Sequence, residues 1–128
     1  MKKLLFSFSI ISAFIYSCEK PAEATTATIN FIEPAVGDSI HLGEELHVEG
    51  TISGDGELHG YTLKIENTIT SEIVKTGSTS NHAKSYVFHE HWVNNVSEPS
   101  LMKVTLEVEL NHDGKKTSKE LNVVCLPN

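Results

Sequence analysis

Histidine is the residue type in this chain with the clearest capacity for chemistry. The sequence contains seven histidines: His41, His47, His59, His82, His89, His91 and His112. Neutral imidazole is the commonest side-chain ligand of metals in proteins, and its protonation changes charge near neutral pH. The histidines therefore indicate metal binding, or a response to acid, wherever the fold brings several of them together.

The two-residue spacing of His89 and His91 places both side chains on one face of a strand. An antiparallel neighbour that sets His47 opposite His89 would add a third imidazole to that face. Directly paired residues have Cβ atoms about 4.5–5.5 Å apart, and zinc binds imidazole nitrogen at about 2.0–2.1 Å. We therefore predict a zinc, copper or nickel site at His47, His89 and His91, flanked by Glu45 and Glu49 as further ligands or hydrogen-bond partners.

A second group of histidines is predicted at one end of the fold. His59 begins one strand, His82 precedes another and His112 lies in a turn, and these three segments are expected at the same end of a sandwich. This group is the alternative metal site. A third interpretation involves no metal, because exposed strand faces are polar and histidine is an ordinary residue there. A register error of one residue would also turn His47 to the opposite face.

The elements that must position these histidines are strands. Apolar and polar residues alternate from Thr28 onward, and no segment keeps a helical period over three turns. The alternation predicts seven strands near residues 28–32, 46–52, 61–66, 69–75, 85–89, 102–110 and 121–125. Turn residues separate them, including Gly54-Asp55-Gly56 and the hairpin signal Asn111-His112-Asp113-Gly114. We predict an all-β fold, a seven-stranded immunoglobulin-like or fibronectin-type Greek-key sandwich over residues 29–126.

The N-terminus has the features of an export signal. Two lysines precede an apolar run over residues 4–16, which is shorter than the about 20 residues that span a bilayer. The segment Ile15-Tyr16-Ser17-Cys18 resembles the lipobox of bacterial lipoproteins, in which the cysteine receives diacylglycerol and becomes the new N-terminus. The resemblance implies a signal peptide at residues 1–17, lipidation of Cys18, and an anchor and tether at residues 18–28.

Lipidation of Cys18 would leave Cys125 without a disulfide partner. Cys125 lies in the apolar run Val123-Val124-Cys125-Leu126, so we expect a small buried hydrophobic residue there. Acyl chains on Cys18 would attach the protein to a membrane. The expected location is the bacterial cell envelope, on the periplasmic or surface face of the outer membrane.

The composition argues against several classes of function. The chain has ten lysines, no arginine and a formal net charge of -7. Loss of residues 1–17 would leave eight lysines against seventeen acidic residues, a charge of -9. Nucleic acids and anionic membrane surfaces are bound by basic patches, so we expect no nucleic-acid partner. The sequence also lacks a Gly-x-Ser-x-Gly motif, a glycine-rich phosphate loop and a His-Glu-x-x-His motif, so we expect no catalysis.

Four segments of the predicted domain are Phe31-Ile32-Glu33-Pro34, His47-Val48-Glu49-Gly50, Glu57-Leu58-His59-Gly60-Tyr61 and His89-Glu90-His91-Trp92. Together with the lipobox, they resemble small lipoproteins of Bacteroidota that carry a single immunoglobulin-like domain. The resemblance covers residues 29–125 and implies the fold and the anchor. We predict a non-catalytic, lipid-anchored module that binds an envelope protein or a small ligand. The alternative is a histidine-rich lipoprotein that sequesters or delivers zinc, copper or nickel.

Overall fold

Alternating apolar residues turn one face of each strand toward a shared core, and the strands form two sheets. The structure, a computed structural model, describes residues 17–128. Within these residues the fold is an all-β sandwich, which confirms the predicted fold class. The predicted signal peptide lies outside the described residues except for Ser17. No helix in residues 17–128 is long and apolar enough to cross a membrane.

The described part of the chain forms eight strands, one more than predicted. They are β1 (Ala27–Glu33), β2 (Ser39–Ile40), β3 (Glu45–Leu58), β4 (Gly60–Asn67), β5 (Glu72–Thr79), β6 (Ala83–Val93), β7 (Ser100–Glu109) and β8 (Lys116–Cys125). The additional strand is β2, which has two residues and pairs with β8 in parallel. Two residues cannot show an alternating pattern, so this strand could not be predicted from periodicity.

The strand order is β1-β3-β6 in one sheet and β2-β8-β7-β4-β5 in the other. β3 and β6 pair antiparallel as predicted, but His47 lies opposite His91, so the predicted pairing with His89 is wrong. The predicted pairing requires Ser53 opposite Ala83, whereas Ser53 pairs with Ser85 and Ala83 pairs with Leu58. Because the error is two residues, the three histidines keep the predicted face.

The end of β3 differs from the prediction. Residues 54–56, predicted as a turn, are part of β3. The chain turns instead at His59, the single residue between β3 and β4, and crosses there from one sheet to the other. Gly60 has a φ of 127°, and a Cβ on it would lie 2.2 Å from the carbonyl oxygen of Thr79. Only glycine fits this crossing, which sets His59 at the end of the sandwich.

The core lies between the two sheets. Its largest fully buried side chains include Leu46, Ile52, Leu58, Leu63, Ile65, Phe88, Met102 and Leu106. Gly50 leaves room for Phe88, because a Cβ on Gly50 would lie 2.6 Å from the phenyl ring. Cys125 is buried in this core as predicted, and burial raises the pKa of its thiol.

Residues 22–26, here named the N-terminal segment, pack against β3 although the sequence predicts a tether there. Ala24 is 1% exposed, and its N–H donates to the carbonyl oxygen of Glu57 at 2.9 Å. The Asp55 carboxylate accepts the N–H groups of the next two residues at 2.8 and 3.0 Å. A threonine hydroxyl and these N–H groups hold the pKa of Asp55 well below its usual range. Hydrogen bonds thus order this segment before the predicted domain boundary.

Candidate metal centre

Three histidines meet at one end of the sandwich, where the sequence predicts the alternative site. His59 lies between β3 and β4, His82 directly precedes β6, and His112 lies in the turn between β7 and β8. The ring centres of His82 and His112 lie 4.2 and 4.1 Å from that of His59. The structure therefore brings all three predicted side chains into one cluster.

The turn that carries His112 is the predicted hairpin. Oδ1 of Asn111 accepts the N–H groups of Asp113 and Lys115, each at 3.1 Å. Gly114 has a φ of 78°, which favours glycine and closes the turn. These bonds fix the backbone of His112 and leave its imidazole directed at His59.

His59 is the buried member of the cluster. The residue is 7% exposed, and its Nε2 is buried without a hydrogen-bond partner. Its N–H donates to the carbonyl oxygen of Glu109 at 2.8 Å, which holds the residue beside β7. Nε2 lies 3.6 Å from Oε1 of Glu23, too far for a hydrogen bond. A buried polar atom without a partner costs about 1–3 kcal/mol, and an ion bound at Nε2 would remove this cost.

Two glutamates face the cluster from neighbouring segments. Glu23, in the N-terminal segment, is hydrogen-bonded to Nδ1 of His112, and this bond lowers the pKa of the Glu23 carboxyl. Glu57, near the end of β3, places Oε1 3.4 Å from Nδ1 of His82. Each carboxylate therefore contacts one of the exposed histidines that flank His59.

Glu23, Glu57, His59, His82 and His112 together form the end cluster. Among residues 17–128, two sets of metal-ligating side chains have donor atoms within 4.8 Å of one another. One is Glu23, His59 and His112, and the other is Glu57, His59 and His82. Zinc ligands in a tetrahedron lie about 3.4 Å apart, so small side-chain rotations would close either set around an ion. Imidazole and carboxylate together suit zinc, nickel and copper.

A groove lies beside the buried histidine. It has a volume of about 470 Å³, and His59, Tyr61, Glu109 and Lys116 are among the residues that line it. The carboxylates of Glu107 and Glu109 in its wall would attract a cation. Lys116 neutralises part of this charge, because it forms an ion pair with Glu107 at 2.8 Å that raises the pKa of the lysine. The groove therefore opens beside His59, whereas the other four residues of the end cluster do not line it.

His47, His89 and His91, here named the outer-face group, lie on the outer surface of β3 and β6 as predicted. Nδ1 of His47 lies 3.4 Å from Nε2 of His89. The Glu45 carboxylate lies 3.3 Å from Nε2 of His47 and 3.7 Å from Nε2 of His91. Glu49 lies opposite His89 in the ladder. Among these residues, all of which the structure describes, no three donor atoms lie within 4.8 Å of one another, unlike those of the two sets in the end cluster.

Neither glutamate of the end cluster is among the predicted ligands. Glu57 lies two residues before His59, and this spacing could have indicated a ligand beside it. Glu23 gave no comparable signal, because the residues around it show no strand period and were interpreted as tether. Its position beside His112 depends on hydrogen bonds between the N-terminal segment and β3.

Comparison with protein-family models and with curated proteins finds no match for this chain.

Proposed function

We propose that this protein is a lipid-anchored envelope protein that binds one divalent transition-metal ion at the end cluster. The observation that carries the proposal is the buried, unpartnered Nε2 of His59, which has a carboxylate oxygen of Glu23 3.6 Å away. A buried imidazole nitrogen is normally hydrogen-bonded, and a metal ion would satisfy it. Because both candidate ligand sets share His59, we assign a single ion to the cluster.

Several features support reversible binding, as in sequestration or delivery. His82 and His112 are about half exposed, and a groove borders His59. A net charge of -7 raises the local concentration of cations around the protein. A ligand set of imidazoles and carboxylates without thiolates favours zinc, nickel or copper(II).

Calorimetric titration of the purified protein with zinc, nickel and copper(II) tests the proposal. We expect a dissociation constant in the micromolar range or below for at least one ion. His59→Ala removes a ligand, so its affinity should fall more than the about 10–100-fold caused by loss of a residue that only orients a ligand. His89→Ala is the matched control, and its affinity should equal that of the wild type.

Two results would contradict the proposal. Dissociation constants above the millimolar range for all three ions would exclude metal binding as the function. Loss of binding in His89→Ala, with full binding in His59→Ala, would transfer the site to the outer-face group.

The lipid anchor and the immunoglobulin-like type are further parts of the proposal. Cys18 is exposed, which suits attachment of acyl chains. Cys18→Ser should remain unlabelled by palmitate and should leave the membrane fraction, whereas Cys125→Ser should be labelled and retained. The arrangement of β1, β3 and β6 opposite β4, β7 and β8 supports the immunoglobulin-like type, in which strands A, B and E face strands C, F and G.

A non-catalytic binding or assembly module without a metal is the second candidate. Large apolar side chains stand exposed on the surface, among them Val36 at 93% and Val87 at 79%. Single exposed apolar side chains are common, and a partner protein is indicated where such side chains form a continuous patch. This candidate gains support if the titrations show no metal binding.

A further inference from the structure

We infer that Glu23 is a metal ligand supplied by the N-terminal segment, and that the bound ion fastens this segment to the sandwich. The inference rests on the proposed function and names the ligand set within the end cluster as Glu23, His59 and His112. It adds a consequence for the membrane anchor, because the N-terminal segment connects Cys18 to the first strand.

The unpartnered nitrogen selects this set. Nε2 of His59 lies 3.6 Å from Oε1 of Glu23, and the same oxygen is hydrogen-bonded to Nδ1 of His112. An ion among these three atoms would therefore satisfy the buried nitrogen and replace a single hydrogen bond. Glu57 contacts His82 instead, with its Oε1 3.4 Å from Nδ1 of His82.

The backbone already holds Glu23 in place. The carbonyl oxygen of Ala22 accepts the N–H of Glu57 at 2.8 Å, and the N–H of Ala24 donates to the carbonyl oxygen of Glu57 at 2.9 Å. Gly56 permits this close approach, because a Cβ on it would lie 2.6 Å from the carbonyl oxygens of Ala22 and Glu23. The segment is thus attached on both sides of Glu23, and its carboxylate reaches the cluster without a change of backbone.

The attachment nevertheless depends on few contacts. Ala24 is the one residue of the N-terminal segment, residues 22–26, that belongs to the buried core. Most other contacts are hydrogen bonds at the surface, such as those to Asp55. Segments held in this way open locally more readily than the strands of a core. A bound ion would therefore change the population of the attached state.

Attachment would set the distance between the sandwich and the membrane. From Cys18 to Glu23 the chain spans at most about 17 Å, whereas a free chain from Cys18 to Ala27 spans up to about 31 Å, at about 3.4 Å per residue. Ion binding would therefore shorten the flexible tether by nearly half. The proposed metal site would thereby control how far the sandwich stands from the anchor.

Hydrogen exchange measured by mass spectrometry tests this inference in the purified protein. The readout is the exchange of the amides of residues 24–26, in chelator and in zinc at about 100 times its dissociation constant. Zinc at that level should slow their exchange by about tenfold or more, since opening of the segment would require loss of a ligand. Titration calorimetry on the same samples reports the affinity.

Three variants separate the possible ligands. Glu23→Gln should weaken zinc binding at least about tenfold, and zinc should no longer slow exchange in the segment. Glu19→Gln removes the same charge from an exposed position four residues earlier and should behave like the wild type. In Glu57→Gln, zinc should still slow amide exchange in the N-terminal segment. Circular dichroism would show whether each variant is folded.

The outcomes distinguish the inference from the proposed function. A wild-type protein that binds no metal contradicts both. A wild type that binds zinc, with unchanged affinity and unchanged exchange in Glu23→Gln, overturns the inference alone. Loss of zinc binding in Glu57→Gln but not in Glu23→Gln would also overturn it and would assign the other ligand set.

Discussion

At the scale of residues, His59 is the position where stability and the proposed function conflict. Its side chain is 5% exposed in a predominantly apolar fold, and its Nε2 has no hydrogen-bond partner. Such an arrangement is unfavourable for a protein without a ligand. A binding site for a metal explains why an imidazole occupies a place that an apolar side chain would fill more favourably.

His59→Leu should therefore stabilise the metal-free protein. Replacement of the unpartnered imidazole by an apolar side chain removes a desolvation cost, and we expect the free energy of unfolding to rise by about 1 kcal/mol. Urea denaturation in the presence of a chelator measures this free energy of unfolding. The same variant should lose the high-affinity metal site.

His112→Leu is the control for this prediction. Its side chain is 56% exposed, so the substitution should bring no comparable gain in stability. A decrease of more than about 1 kcal/mol in the free energy of unfolding of His59→Leu would contradict our interpretation. It would show that the imidazole makes a contact that stabilises the metal-free fold.

The sequence could predict which histidines lie together but not the whole ligand set. His59, His82 and His112 each adjoin a strand end, and the order of strands in a sandwich brings those ends together. Glu23 could not be predicted, because its position depends on backbone hydrogen bonds from a segment without periodicity. The favoured outer-face group was predicted on the correct face, since an error of two residues preserves side-chain direction.

At the scale of elements, β3 is the strand that connects the anchor region with the site. Its first part pairs with β6, and its last part, residues 54–58, receives the N-terminal segment. Gly54-Asp55-Gly56 has the composition of a turn, and this composition caused the wrong prediction. The glycines serve close approach instead, since a Cβ on Gly56 would collide with the carbonyl oxygens of Ala22 and Glu23.

Acid should release the N-terminal segment from β3. Hydrogen bonds lower the pKa of Asp55 and of Glu23 in the folded protein, from reference values of 3.8 and 4.5. A carboxyl group with a lowered pKa contributes stability above its reference pKa and loses that contribution as the pH falls through the folded value. We therefore expect the thermal midpoint of the metal-free protein to decrease from about pH 4.5 downward.

Asp55→Asn should reduce this dependence on acid. The amide keeps an oxygen acceptor but carries no charge, so the thermal midpoint of the variant should be lower than that of the wild type at pH 7. This thermal midpoint should also change less between pH 4.5 and pH 2 than that of the wild type. Asp113→Asn, in the β7–β8 turn, is the control and should follow the wild type. An equal acid dependence in Asp55→Asn and the wild type would contradict the assigned role of Asp55.

At the scale of the whole molecule, the end cluster joins segments that are distant along the chain. Glu23 precedes β1, His59 connects β3 to β4, and His112 connects β7 to β8. Of these strands, β1 and β3 belong to one sheet, and β4, β7 and β8 belong to the other. An ion bound by these residues would cross-link the two sheets and the N-terminal segment.

Zinc should accordingly stabilise the sandwich against unfolding. A ligand that binds only the folded state at about 100 times its dissociation constant adds about 2.7 kcal/mol. Thermal denaturation in zinc and in chelator measures the effect, and His59→Ala should show little of it. A wild-type midpoint that zinc leaves unchanged, at concentrations where calorimetry shows saturation, would contradict binding at a site formed by folding.

Alternation of apolar residues was sufficient to predict the sandwich at this scale. The strongest stripe, Met102 to Leu110, lies on β7, the central strand of the larger sheet, except for Leu110, which directly follows β7. The register of β3 against β6 could not be predicted, because the irregular stretch between the pairs Ser53–Ser85 and Leu58–Ala83 has no periodic signal. Local pattern defines strands, whereas long-range hydrogen bonds define their alignment.

Anomalous X-ray diffraction at the zinc absorption edge, on crystals grown with zinc, tests the central claim most directly. We predict one anomalous peak per chain at the end of the sandwich, about 2.0–2.1 Å from a nitrogen of His59 and bound also by Glu23 and His112. A peak between His47 and His89 on the outer face, with none beside His59, would contradict the account.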